Sequence, residues 1–245
     1  MTNQAPRKEP VFNAPKSVVA MVGVLVALHL ARHMMSEDGE TRFVLSLAFI
    51  PIRYQPEGVG LPGNPWAAWL SPLTHALVHG DVVHLTLNCV WLLVFGSILV
   101  RRWGSARLLA LAAIAAIAGA VCFYLFNPRL AAPMVGASGA ISGLMGAAMR
   151  LLFSGMAQGG PELLREHPEQ IQPMPLSDAL RDRRLLSSIA MLAFVNVIMA
   201  YGIGGLNEPG ALAWEAHLGG FAVGLLAFAA FDRGTGRSLG IDTAV

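Results

Sequence analysis

Three short stretches of this chain carry residue types suited to hydrolytic chemistry. The first is His84-Leu-Thr-Leu-Asn88, whose i, i+4 spacing puts an imidazole and a carboxamide on one face of a helix. The second, Gly136-Ala-Ser138-Gly139-Ala140-Ile-Ser142-Gly143, sets a serine among small residues. The third is Ala216-His217-Leu-Gly219-Gly220-Phe-Ala-Val-Gly224. A serine hydroxyl is a weak nucleophile until a neighbouring imidazole takes its proton. Ser138 and His217 are therefore the candidate nucleophile and base, and His84 and Asn88 carry donors suited to a developing oxyanion. No carboxylate is placed to complete a triad, since Asp81 and Glu215 both fall at the mouths of apolar segments. The expected unit is a Ser–His dyad. Each residue also has a plainer reading. Small residues let apolar helices approach closely, and His84 or Asn88 could simply bond between helices.

Other chemistries fit less well. There is no H-E-x-x-H pair for zinc. His75, His79 and His84 lack the cysteines or acids that would complete a tetrahedral set, so neither a metal nor a cofactor is expected. No apolar span holds a central aspartate. Ala140 stands where the nucleophile elbow of hydrolases needs glycine. Asn196, in span five, reads as a structural hydrogen-bonding residue.

The elements that must position these groups are membrane helices. Hydrophobic residues make up 55% of the 245 positions, charged residues only 13%, and mean hydropathy is +0.56. Soluble domains average about 25% charged residues. This balance, with a net charge of +2, excludes a disordered chain, a nucleic-acid-binding module and an ordinary cytosolic enzyme. A bilayer core needs about 20 apolar residues in a helix. Six segments meet that length: 17–35, 82–100, 108–126, 131–149, 185–203 and 211–231. Long uncharged runs lack the alternation of barrel strands, so an all-α bundle of six transmembrane helices is expected over 17–231. Cys89 and Cys122 lie within apolar runs and read as packing residues.

Spans two, four and six run in the same direction, which puts His84, Ser138 and His217 near one level at the outer face. Gly139, Gly143 and Ala147 form one small-residue ridge, and Ala216, Gly220 and Gly224 another. Two such ridges would let the backbones carrying Ser138 and His217 meet. Of the 17 Lys and Arg residues, only Arg32, Arg42, Arg53 and Arg129 fall on the outer side. The positive-inside rule then places both termini in the cytoplasm. Trp103, Tyr201 and Trp214 fall near span ends, as interfacial aromatics do. The polar stretch 1–16 is expected to be a cytoplasmic segment rather than a signal peptide, and 232–245 a cytoplasmic tail. The outer loop 36–80 is apolar enough to lie partly in the interface, whereas the proline-rich inner loop 154–184 reads as solvated. No internal repeat is evident, which disfavours an inverted-repeat transporter.

Taken together, the serine motif, the His217 motif and His84-xxx-Asn88 resemble the rhomboid family of intramembrane serine proteases. The likeness runs from about Leu45 to Phe231 and includes Leu73-Thr-His75-Ala-Leu-Val-His79-Gly and Phe49-Ile-Pro51-Ile-Arg53-Tyr54. It implies a six-helix bundle with a wet cavity open to the outside. Ser138 would be the nucleophile and His217 the base and then acid, with His84, Asn88 and the Ser138 N–H in the oxyanion hole. The implied reaction is hydrolysis of peptide bonds in or beside transmembrane segments of single-span or polytopic membrane proteins. The six-span form implies a multi-pass protein of the bacterial inner (cell) membrane. A rhomboid-like pseudoprotease that binds membrane clients without cutting is the alternative. Three departures stand out. Ser142 occupies the position where some members stack a tyrosine on the catalytic histidine. The outer loop has no adjacent Trp-Arg pair. Arg101-Arg102 stands at the inner end of span two, where an acidic residue is often found.

Overall fold

A computed structural model describes residues 14–58, 60–61, 66–201 and 213–232. These residues are helical throughout, apart from turns and one isolated antiparallel bridge between Phe49 and Met134. The long helices are α1 (Lys16–His33), α4 (Val82–Trp103), α5 (Ser105–Phe126), α6 (Ser138–Gln158), α9 (Arg183–Tyr201) and α10 (Trp214–Asp232). Shorter helices are α2 (Glu37–Leu47), α3 (Ala67–Thr74), α7 (Gly160–Glu166) and α8 (Leu176–Ala179). Among the described residues, five helices (α1, α4, α5, α6 and α10) are long and apolar enough to cross a membrane. The chain is a multi-pass membrane protein. The segment expected as span five coincides with α9, and its last two residues, 202–203, lie outside the described residues. So do 1–13 and 233–245, which hold most of the expected cytoplasmic segment and tail; for Tyr201 only the backbone is described.

α6 occupies the centre, with Gly139 to Leu144, Gly146 to Ala148 and Leu151 buried. α5 and α10 flank it, and backbone packs directly on backbone. A methyl group built on Gly146 would lie 2.6 Å from the Phe221 carbonyl oxygen, and one on Gly219 2.6 Å from that of Ala118. Gly220 and Gly224 face the carbonyls of Gly139 and Gly143 even more closely. The two small-residue ridges therefore meet as expected, by the close approach that glycine permits in membrane helices. The outward faces stay apolar and uncovered, with Leu125 69%, Phe194 59% and Leu226 57% exposed, as lipid contact requires.

α4 is capped by Asp81, which accepts the His84 N–H at 2.8 Å, and carries one π-helical segment at Leu92–Gly96. The helix carrying the serine starts later than expected: α6 begins at Ser138 itself and runs to Gln158, against the expected 131–149. Pro133 cannot donate a helical bond, and Gly136 takes φ +122°, a left-handed conformation open to glycine. Residues 127–137 are thus held as a loop, pinned by mutual Phe49–Met134 backbone bonds of 3.0 and 2.8 Å.

The inner segment is exposed over most of its length, as expected, but it is also folded, anchored at Pro168, Ile171 and Ala179. Buried Arg102 donates to the carbonyls of Pro168 and, at 2.9 Å, Ile171, and it pairs with Asp232 at the end of α10. Trp103 Nε1 donates to the same carboxylate at 2.7 Å. Arg150 reaches the carbonyls of Leu225 (3.1 Å) and Met174 (2.8 Å). Two buried guanidinium groups need many acceptors, and the loop's backbone supplies them. The outer segment agrees better with expectation: α3 exposes Trp69 (81%) and Leu70 (53%), an apolar surface suited to the interface.

Candidate active site

The residues predicted from sequence come together at the N-terminal turns of three helices. Ser138 is the first residue of α6, His217 the fourth of α10 and His84 the third of α4. The Ser138 hydroxyl and His217 Nε2 are 2.8 Å apart. Both residues are half-buried.

His84 covers the loop before the serine. A methyl group on Gly136 would lie 2.7 Å from His84 Cε1 and Nε2 and 3.7 Å from the Ser138 oxygen. Gly136 is therefore the space that brings the imidazole of His84 beside the serine. Asn88 is buried one turn further along α4. Its Nδ2 donates to the His84 carbonyl at 2.8 Å, and its Oδ1 has no partner among the described residues. In this structure Asn88 bonds its own helix and not the serine.

His75 and His79 hold the loop. The Ala137 N–H donates to His79 Nε2 at 3.3 Å and the Gly136 N–H to the His75 carbonyl at 2.9 Å. Arg32 of α1 donates to the carbonyls of His79 (2.6 Å) and Gly80 (2.9 Å), and its Nε pairs with Glu40 at 3.0 Å. Burial pushes His75 down to about 4 and His79 to about 3, the latter aided by the positive charges of His84, His29 and Arg32. Both stay neutral at pH 7, as an imidazole nitrogen accepting from Ala137 N–H must.

One residue carries more than its sequence reading gave it. Asn196 of α9 presents Oδ1 to His217 Nδ1 at 2.7 Å. Glu215, the nearest acid in sequence, is engaged elsewhere, by Asn127 Nδ2 at 2.9 Å. The signal was available. Leu185, Ile189 and Leu192 form the stripe of α9 that packs toward Phe221 and Leu225 of α10. Asn196 continues that stripe at helical spacing, a polar residue where packing alone would place an apolar one.

The Rhomboid domain family matches residues 67–233, a span that takes in Asn88, Asn196 and both members of the Ser138–His217 pair. The chain is also similar to the rhomboid protease GluP of Bacillus subtilis (strain 168), with 26% identity over 162 residues. That alignment covers 66% of this chain but spans only about a quarter, 26%, of the relative's length. A domain match over most of the chain, on the very helices that carry the converging serine and histidines, makes this protein a member of the rhomboid family.

Proposed function

We propose that this protein is an intramembrane serine endopeptidase that hydrolyses peptide bonds in or next to transmembrane segments of membrane proteins. The observation that carries this reading is the 2.8 Å approach of Ser138 Oγ to His217 Nε2. As an acceptor, Nε2 takes the hydroxyl proton while Oγ bonds to the substrate carbonyl carbon. The carbonyl oxygen becomes an oxyanion beside the first turn of α6. The Ser138 N–H, one of the four unpaired at a helix start, is a donor for it, as are the His84 ring and the second N–H of the Asn88 amide. Collapse expels the amine, which leaves with the proton from His217. Water, activated by the same imidazole, then cleaves the acyl ester and regenerates the serine. No metal or cofactor enters the sequence. The name of the Bacillus relative, a rhomboid protease, supports the same class of reaction.

This reading includes the topology. α9 is the fifth of six crossings, the catalytic domain runs over 17–231, and the stretches 1–16 and 232–245 are cytoplasmic. The site then lies near the outer face of the cell membrane of a bacterium, where α4, α6 and α10 begin. Substrates are single-span or polytopic membrane proteins whose helix unwinds locally, since a helical carbonyl is shielded by its own bond.

The test is covalent labelling of purified protein with a fluorophosphonate, alongside cleavage of a tagged transmembrane substrate in liposomes. Labelling and cleavage by the wild type, both lost in Ser138→Ala, are expected. A wild type that binds the substrate but neither labels nor cuts it would establish the pseudoprotease instead.

A further inference from the structure

We infer that Asn196 is a positioning residue that fixes the tautomer and orientation of His217, so that the reacting unit extends over a third helix as a Ser138–His217–Asn196 relay. This rests on the proteolytic reading above and adds a group that it does not require.

The assignment follows from counting donors. The Asn196 amide has one end committed, because Nδ2 donates to the Leu192 carbonyl of its own helix at 2.8 Å. That turns Oδ1, an acceptor, toward the ring, 2.7 Å from Nδ1. An acceptor facing Nδ1 requires the proton there. The neutral imidazole then has its lone pair on Nε2, the nitrogen that faces Ser138 Oγ at 2.8 Å. The opposite tautomer would set Oδ1 against a lone pair and leave the serine without a base. Asn196 thus selects the form of His217 that accepts a proton, and stabilises the imidazolium once it forms.

The surroundings leave this task to Asn196. The side chain one turn after the nucleophile, Ser142, is too small to stack on the ring and is buried in α6. The acid next to His217 in sequence, Glu215, faces Asn127. The ionisable side chain that α4 brings to the site is His84, which lies against Gly136. Because the acceptor belongs to α9, its seating also governs the base. The outer face of α9 is bare, with Met191 62% and Val197 54% exposed, and it is held to the bundle by Leu185, Ile189 and Leu192. A displacement of that helix would take the acceptor from His217.

Two measurements on the full chain decide the matter. The first is the 15N spectrum of histidine-labelled protein in micelles at pH 8, with His217 assigned by its loss in His217→Ala. We expect the Nδ1–H tautomer in the wild type, and a mixture in Asn196→Leu, which keeps size but has no acceptor. The second is a cleavage assay. Asn196→Leu should lower kcat about ten- to a hundredfold, the worth of one hydrogen bond to a charged group, with KM unchanged. Asn196→Asp keeps the acceptor and adds charge that favours the imidazolium. It should restore kcat at high pH and move the acid limb of the profile upward. An Nε2–H tautomer in the wild type overturns the inference, as does an Asn196→Leu enzyme that cleaves normally. So does an Asn196→Asp enzyme as slow as Asn196→Leu with its acid limb unmoved. A wild type without any cleavage removes the proteolytic reading, and the tautomer measurement still decides what Asn196 does.

Discussion

Gly136 and His84 occupy space that only a residue without a side chain can share: a methyl group on Gly136 would lie 2.7 Å from two atoms of the imidazole. The glycine also holds φ at +122°. Gly136→Ala therefore suffers twice, from backbone strain and from displacement of His84. The expected result is a loss of cleavage of about a hundredfold or more, with the unfolding temperature in micelles lowered only slightly. Rates and melting curves of the two proteins, measured together, check this. A large drop in stability would show that the loop serves the bundle more than the site.

The contact between α6 and α10 gives a second prediction. Gly220 and Gly224 lie against the carbonyls of Gly139 and Gly143, with no room for a side chain. Gly224→Leu should destabilise the protein by about 3 kcal/mol or more, since overpacking against rigid backbone exceeds the usual 1–3 kcal/mol. Gly104→Ala makes a useful contrast. A methyl group there meets nothing within 4 Å, so its cost is confined to the φ of +77°. Thermal unfolding of both variants should separate steric from conformational cost.

A third prediction concerns the inner latch. Arg102 and Asp232 are 2% and 8% exposed at their side chains. Removing one partner of a buried pair costs about 3–5 kcal/mol. Asp232→Ala should approach that loss, because Trp103 Nε1 loses its acceptor as well. Limited proteolysis reports the consequence, with faster cutting in 159–182 once Arg102 is no longer anchored. Unchanged protection of that segment would contradict the role assigned to the pair.

A fourth concerns acid. His75 and His79 are held neutral, with pKa values near 4 and 3 against 6.5 when unfolded. Between those values the unfolded chain binds protons that the folded chain refuses, so stability rises with pH. Between about pH 6.5 and 5 carboxylates are still largely ionised, so histidines dominate the change: the unfolding temperature should fall as pH drops over this range. His75→Gln combined with His79→Gln should make that slope shallower, at the expense of overall stability. A wild-type melting temperature constant over this range would contradict the neutral, buried assignment.

Much of this was legible in the sequence because lipid restricts what a chain can do. Backbone groups must be satisfied internally, so apolar length marked the helices, and the spacing of Gly139, Gly143, Gly220 and Gly224 marked where two would touch. Ser138 and His217 stood out as polar exceptions. The boundary of α6 was not legible, because residues 131–137 are apolar enough to span yet are held as a loop by Pro133, Gly136 and the pairing of Phe49 with Met134. Nor was the folded inner segment, since its acceptors are backbone carbonyls, which leave no trace in side-chain composition. Asn196 was underread for a different cause. A carboxamide's meaning depends on which group it faces, and that partner lies on another helix.

The central claim is that the Ser138 hydroxyl, activated by His217, is a nucleophile. The most direct measurement is the mass of the intact protein after exposure to a fluorophosphonate, followed by peptide mapping of the adduct. The account predicts one adduct, on Ser138, that forms in the wild type and is abolished or greatly slowed in His217→Ala. An adduct that maps to another residue, or one that forms on Ser138 just as fast without the imidazole, would contradict it.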